Sequence, residues 1–300
     1  MQNGIDKIAR LSFKSLARAI SLVENRAGNY KEILLNLSPD ANAPVIGVTG
    51  PPGAGKSTLV DALIGEIVAQ HKTVGVLCVD PSSPFNLGAL LGDRIRMSQW
   101  YTNPNVFIRS LANRGSLGGL HPSIIEITDV MKSANFDYII VETVGVGQTE
   151  VEIAGLAETT VIVLVPEGGD EVQTMKAGLM EIGDIFVVNK ADRPGANTFV
   201  NNLRQLLFPS GKRSAHDIPV VKTVASQNEG IAELFEKINA NIYNVKNPDK
   251  QYWLLAEKAY QLIAAKRMNN VYKDTLYNSI KKEIEVNKSF NLYKFIEEIK

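Results

Sequence analysis

An α/β fold built on a mostly parallel sheet is what this 300-residue sequence predicts, and three observations carry it. Short apolar, β-branched runs recur as far as Val224, nearly all lack apolar/polar alternation, and helical patterns lie between them. The runs are Val45–Thr49, Val74–Asp80, Val106–Leu111, Tyr138–Thr143, Thr160–Val165, Ile185–Val188 and Val220–Val224. A strand that is apolar at every residue must be covered on both faces, and helices do the covering. Ser57–Gln70, Ser123–Ser133 and Thr198–Leu207 have the required spacing, so right-handed crossovers between parallel strands follow. The expected organisation is an N-terminal helical extension (1–42), a sheet domain flanked by helices (43–245) and a C-terminal helical arm (246–300).

The ends justify themselves separately. Lys7, Arg10, Lys14, Arg18 and Arg26 give the N-terminus the look of an organellar transit peptide. Ile8, Leu11, Leu16, Ile20 and Val23, however, recur close to helical spacing, which predicts a helix docking an apolar face on the domain. Beyond Gly230 the strand signal disappears. Ile231–Val245, Tyr252–Met268 and about Val271–Lys300 read as helices, and Pro248 suits a helix start.

Composition narrows the partners. Lys+Arg and Asp+Glu number 32 each, so no global positive field gathers nucleic acid or an anionic membrane, and any phosphate site must be local. The single cysteine, Cys78, sits inside an apolar run as a small core residue. No apolar stretch approaches the roughly 20 residues of a membrane span, so the expectation is a soluble, cytoplasmic protein that binds neither membrane nor nucleic acid.

Directly after Val45–Thr49 stands Gly50-Pro51-Pro52-Gly53-Ala54-Gly55-Lys56-Ser57-Thr58, which fits the Gly-x-x-x-x-Gly-Lys-Ser pattern of a P-loop NTPase with a strand before it and a helix after. Glycines let backbone N–H groups approach phosphates, and the helix presents its positive end to them. Lys56 is then the cation for the β/γ oxygens, and Ser57 offers a hydroxyl to Mg2+, which takes oxygen ligands. Carboxylates for that ion should stand at strand ends, where doubly wound folds bind ligands. Asp80 and Glu142 do so, and Asp93 lies in the loop-like Gly92–Arg96. In Glu142-Thr143-Val144-Gly145 the Gly145 N–H is placed to sense a γ-phosphate, and Gln148 follows closely.

Asn189-Lys190-Ala191-Asp192 follows the strand Ile185–Val188 and matches the Asn-Lys-x-Asp signature for guanine. The Asp192 carboxylate can accept from both N1–H and N2–H₂ of guanine, a donor pair adenine lacks. Ala225-Ser226-Gln227, after the last strand, could offer a backbone N–H to the guanine carbonyl. GTP or GDP with Mg2+ is therefore the expected ligand, and GTP hydrolysis the expected reaction.

In this order the motifs resemble the MeaB/ArgK family of metallochaperone GTPases, companions of adenosylcobalamin-dependent methylmalonyl-CoA mutase. The likeness runs from about Ser15 to Gly230 and includes Leu16–Glu24, Val79–Pro84, Gly92–Met97, Phe107–Ser110, Gly118–Leu120, Glu142–Gln148 and Gly168–Glu171. The resemblance implies magnesium on Ser57, Asp80, Asp93 and Glu142, a switch-like Gly168–Glu171 loop facing the mutase, and a homodimer formed through C-terminal helices. It also implies that hydrolysis gates cofactor loading and protection of the mutase, and since no arginine finger is evident in cis, slow intrinsic turnover is expected. Two rival readings differ in class. A kinase linked to amino-acid transport, the older ArgK label, needs an acceptor pocket with a base, and the sequence shows none. A metal-inserting GTPase needs His/Cys tracts, whereas His71, His121, His216 and Cys78 are scattered.

Overall fold

The computed structural model describes residues 12–38, 40, 42–80, 97–114, 120–145, 149–167, 182–207, 218–244, 248–268, 271–287 and 290–298. Seven strands form one sheet: β1 (Val45–Thr49), β2 (Val74–Asp80), β3 (Val106–Ala112), β4 (Tyr138–Glu142), β5 (Thr159–Leu164), β6 (Ile185–Val188) and β7 (Val220–Lys222). Their order is β3-β2-β4-β1-β5-β6-β7, and each neighbouring pair is parallel. All carboxyl ends therefore lie along one edge. The register puts Glu142 beside Val48 and Cys78, and Asp80 beside Ala112.

Absence of alternation in the sequence becomes two cores in the structure. Successive residues of a strand point to opposite faces, so Ile46, Val48, Val76, Cys78 and Ile140 pack on one side of the sheet, while Val45, Leu77, Val79, Ile139 and Val141 pack on the other. The first side is covered by α3 (Lys56–Ala69), with Leu59, Leu63 and Ile67, and by α7 (Ile231–Asn244), with Leu234, Phe235 and Ile238. The second is covered by α1 (Phe13–Glu24), α4 (Ile124–Lys132) and the chain around α5 (Thr149–Ala154). Phe199, Val200 and Leu203 of α6 (Ala196–Leu207) complete a third cluster against β5 and β6.

The N-terminal helix docks as its periodicity predicts: Leu16, Ile20 and Val23 of α1 are buried, while Ile8 and Leu11 lie outside the described residues. Ser12 caps α1 by accepting from the Ser15 N–H. A short α2 (Tyr30–Leu35) follows, and neither it nor α5 is long enough to show a helical period. β7 ends at Lys222, earlier than expected, because Val224 turns away to bridge Glu229 and start the 3₁₀ turn Ala225–Gln227.

The chain divides into two compact units, Met1–Gln251 and Tyr252–Lys300. Helix α8 (Pro248–Arg267) begins at the proline, as expected. The single helix expected over Val271–Lys300 is instead two, α9 (Lys273–Asn287) and α10 (Leu292–Glu298). Asn291 explains the break: its side-chain oxygen accepts from the N–H groups of Tyr293 and Lys294 at 3.0 and 3.2 Å, starting a new helix. Phe295 of α10 is buried with its ring 5.6 Å from that of Phe290. Trp253, Tyr260, Ile263, Tyr277 and Ile296 in this unit are exposed.

Candidate active site

β1 runs into the phosphate loop, and α3 starts at its far end. Gly55 stands in the left-handed region at φ 87°, as the residue just before α3, and a Cβ there would come within 2.5 Å of Asn189 Nδ2. Lys56 is buried, and its Nζ donates to the carbonyls of Gly50 at 3.0 Å and Pro51 at 3.1 Å. The lysine is thus held inside the loop, where an entering phosphate would compete for it.

Ser57, the next residue of α3, donates its hydroxyl to Glu142 Oε1 at 2.7 Å across the β1–β4 boundary. Asp80 and Glu142 are both buried at strand ends. Together with Pro52, Gly53, Gly55, Lys56, Ser57 and Lys190 they line a cavity of about 420 Å³. Two carboxylates and a hydroxyl are an all-oxygen set, and Mg2+ is commonly held by one or two carboxylates plus substrate phosphates. The residues present therefore fit that ion. Among the described residues no group of three or more His, Cys, Asp and Glu converges. Asp93, Gln148 and Gly168–Glu171 lie outside the described residues.

The segment after β4 is clamped onto the end of β1, where the phosphate loop begins. Thr143 donates its N–H to Val48 O at 3.0 Å, and its hydroxyl bonds the Thr49 hydroxyl at 2.8 Å in the buried interior. Gly145 follows at φ 80°, and a Cβ there would fall on Lys56 Nζ and the Gly50 carbonyl. The Thr49–Thr143 pair was not singled out by sequence; a threonine ending each of two strands is too common a signal to read.

The base-reading loop is fastened to the phosphate loop from the other side. Buried Asn189 donates Nδ2–H to Ala54 O at 2.9 Å, and its Oδ1 accepts from the Thr223 hydroxyl and the Ala225 N–H at 3.1 and 3.2 Å. Lys190 adopts a left-handed φ of 55° and sends Nζ to Gly53 O at 2.7 Å. Asp192 stays exposed, in the turn closed by Arg193 N–H to Lys190 O. In the Ala225–Gln227 stretch expected to offer a backbone N–H to the guanine carbonyl, the Ala225 N–H donates to Asn189 Oδ1 and the Gln227 N–H to Val224 O. Asn189 is accordingly a staple between three loops.

This geometry has relatives. A Pyrococcus abyssi protein named as a GTPase is 51% identical over 238 residues, 78% of this chain and 74% of that one. The Caenorhabditis elegans "Methylmalonic aciduria type A homolog, mitochondrial" is 37% identical over 194 residues, 59% of this chain and 49% of that one. The crystal structure of a LAO/AO transport system kinase superposes with a TM-score of 0.68 at 23% identity, covering 99% of this chain and 95% of that one, a likeness of fold. The family described as "Methylmalonyl Co-A mutase-associated GTPase MeaB" matches residues 16–280. That match takes in the phosphate loop, both carboxylates of the cavity and the base-reading loop, and the chain is a GTPase belonging to this family.

Proposed function

We propose that the cavity at the α3 N-terminus hydrolyses GTP with Mg2+, and that turnover gates adenosylcobalamin loading and protection of methylmalonyl-CoA mutase. The observation that carries the chemistry is the 2.7 Å contact between Ser57 Oγ and Glu142 Oε1 in the cavity that Asp80 also lines. The mutase link rests on the family the chain belongs to and on the name of its nematode relative.

Ser57, Asp80 and Glu142 would hold the ion, with Asp93 added by family resemblance. The ion they hold would supply positive charge to offset that of the phosphates. Lys56 does the same from inside the loop, and α3 adds its positive end. Gly145, whose Cα packs against Lys56 and the Gly50 carbonyl, is the expected N–H donor to the γ-phosphate, so departure of that phosphate would remove a bond from the segment after β4 and let it relax. Asp192 reads the base. The exposed Trp253, Tyr260, Ile263, Tyr277 and Ile296 of the second unit support the homodimer in this reading. Among the described residues no helix is long and apolar enough to cross a membrane.

A partner that senses the nucleotide state must in turn alter nucleotide handling, because coupling is reciprocal. Mutase from the same organism is expected to raise GTP turnover several-fold, on the order of 1–3 kcal/mol if expressed as binding. Mutase that neither binds nor changes the kinetics, with GDP or a non-hydrolysable GTP analogue, removes the chaperone role and leaves the GTPase.

A further inference from the structure

The loops after β5 and β6 leave neighbouring strands at the carboxyl edge, with Leu164 and Val188 in register. One ion pair joins them: Arg193 Nη1 donates to Glu167 Oε1 at 2.5 Å, with both side chains about half exposed. Arg193 immediately follows Asp192 and closes the turn in which Ala191 and Asp192 are the central residues.

The turn's other side is already anchored. Asn189 and Lys190 are bonded to the phosphate loop, and the Ala191 N–H donates to Thr223 O at 3.0 Å. Past Asp192 the side-chain anchor is Arg193, and what it grips is the chain leaving β5. Two hydrogen bonds to a flat base edge require the carboxylate to be held in one orientation, and a turn tied on one side alone leaves it free to swing. The Arg193 hydrogen bond also keeps the Glu167 carboxyl below the usual carboxylate range.

We infer that Glu167 and Arg193 are positioning residues for guanine recognition, their ion pair setting the Asp192 carboxylate and through it the nucleotide's dwell time and the preference for guanine. This rests on the reading of Asp192 as the base-contacting residue. Neither side chain is placed against nucleotide; both act through the turn.

The test follows dissociation of fluorescent GDP and IDP from the full chain and from the Glu167→Gln, Arg193→Gln and Arg193→Lys variants, at low and high salt. Both positions are exposed, so the variants should fold, and circular dichroism checks this. The neutral variants should release GDP about two- to fivefold faster, the size expected of one exposed ion pair. IDP, lacking the 2-amino donor, should change less, so discrimination between the two narrows. Arg193→Lys, which keeps the charge, should stay near wild type, and salt should move wild type toward the neutral variants. Unchanged GDP release, or equal acceleration of GDP and IDP, overturns the inference. Asp192→Asn serves as the control: if it fails to shift preference toward XDP, the base assignment itself falls; if it shifts while the pair variants do not, the ion pair alone is excluded.

Discussion

Gly145 packs so closely on the phosphate loop that a single methyl group has no room. In Gly145→Ala the new Cβ meets Lys56 Nζ and the Gly50 carbonyl, at a φ of 80° that side chains rarely adopt. Single-turnover hydrolysis should fall by at least about tenfold, since Lys56 is displaced from where phosphate charge develops. A variant with normal turnover would remove Gly145 from the site. Asp192→Asn tests the base. It should weaken GTP binding by roughly tenfold or more and improve xanthosine triphosphate binding, because an amide can donate to the extra carbonyl of xanthine; wild-type protein binding ATP as tightly as GTP in a titration would contradict the assignment. Lys56, Ser57, Glu142 and Asn189 could be singled out because each stands at a fixed spacing from a strand end. Thr49 with Thr143, and Glu167 with Arg193, could not be, since each pair meets across distant sequence and each residue alone is ordinary.

Among elements, α1 earns its stability through three side chains. Leu16 is fully buried, so Leu16→Ala should lower stability to urea by about 2–5 kcal/mol; a loss below about 1 kcal/mol would mean the helix is not part of the core. The start of α4 carries a pH dependence. His121 is buried, its Nδ1 accepts the Ser123 N–H at 3.0 Å, and burial, followed by the charge of Arg114, lowers its pKa from 6.5 to about 4, with Arg26 and Arg109 acting the same way and Glu24 opposing. The unfolded chain takes up that proton near pH 6.5, so the contribution of neutral His121 is complete above 6.5 and is lost as the pH falls to about 4. Glu126 nearby is shifted up by burial and acts in the opposite sense. His121→Gln should therefore flatten the decline of the urea midpoint between pH 6.5 and 4, and an unchanged slope would assign it to other groups. Strands were read well here because burial on both faces leaves an unbroken apolar run. The α9–α10 break was missed because one asparagine side chain, not a change in periodicity, makes it.

At the scale of the whole molecule, the second unit leaves Trp253 and Ile263 exposed on α8. If it mediates self-association, light scattering should give twice the chain mass, and Trp253→Asp with Ile263→Asp should shift it toward the monomer while GTP hydrolysis by the first unit persists. A wild-type monomer at tens of micromolar would dismiss the dimer. The sequence by itself determined the α/β class, the strand sites, the phosphate loop and the guanine signature, because each depends on residues adjacent in the chain: periodicity, glycine placement and strand-end position. Only the tertiary structure decided the strand order, the Ser57–Glu142 contact, the role of Asn189 as a staple between loops and the tie from Glu167 to Arg193. Those are pairings between segments far apart in sequence, chosen by how two cores pack against one sheet, and no local pattern encodes which distant side chain will be met.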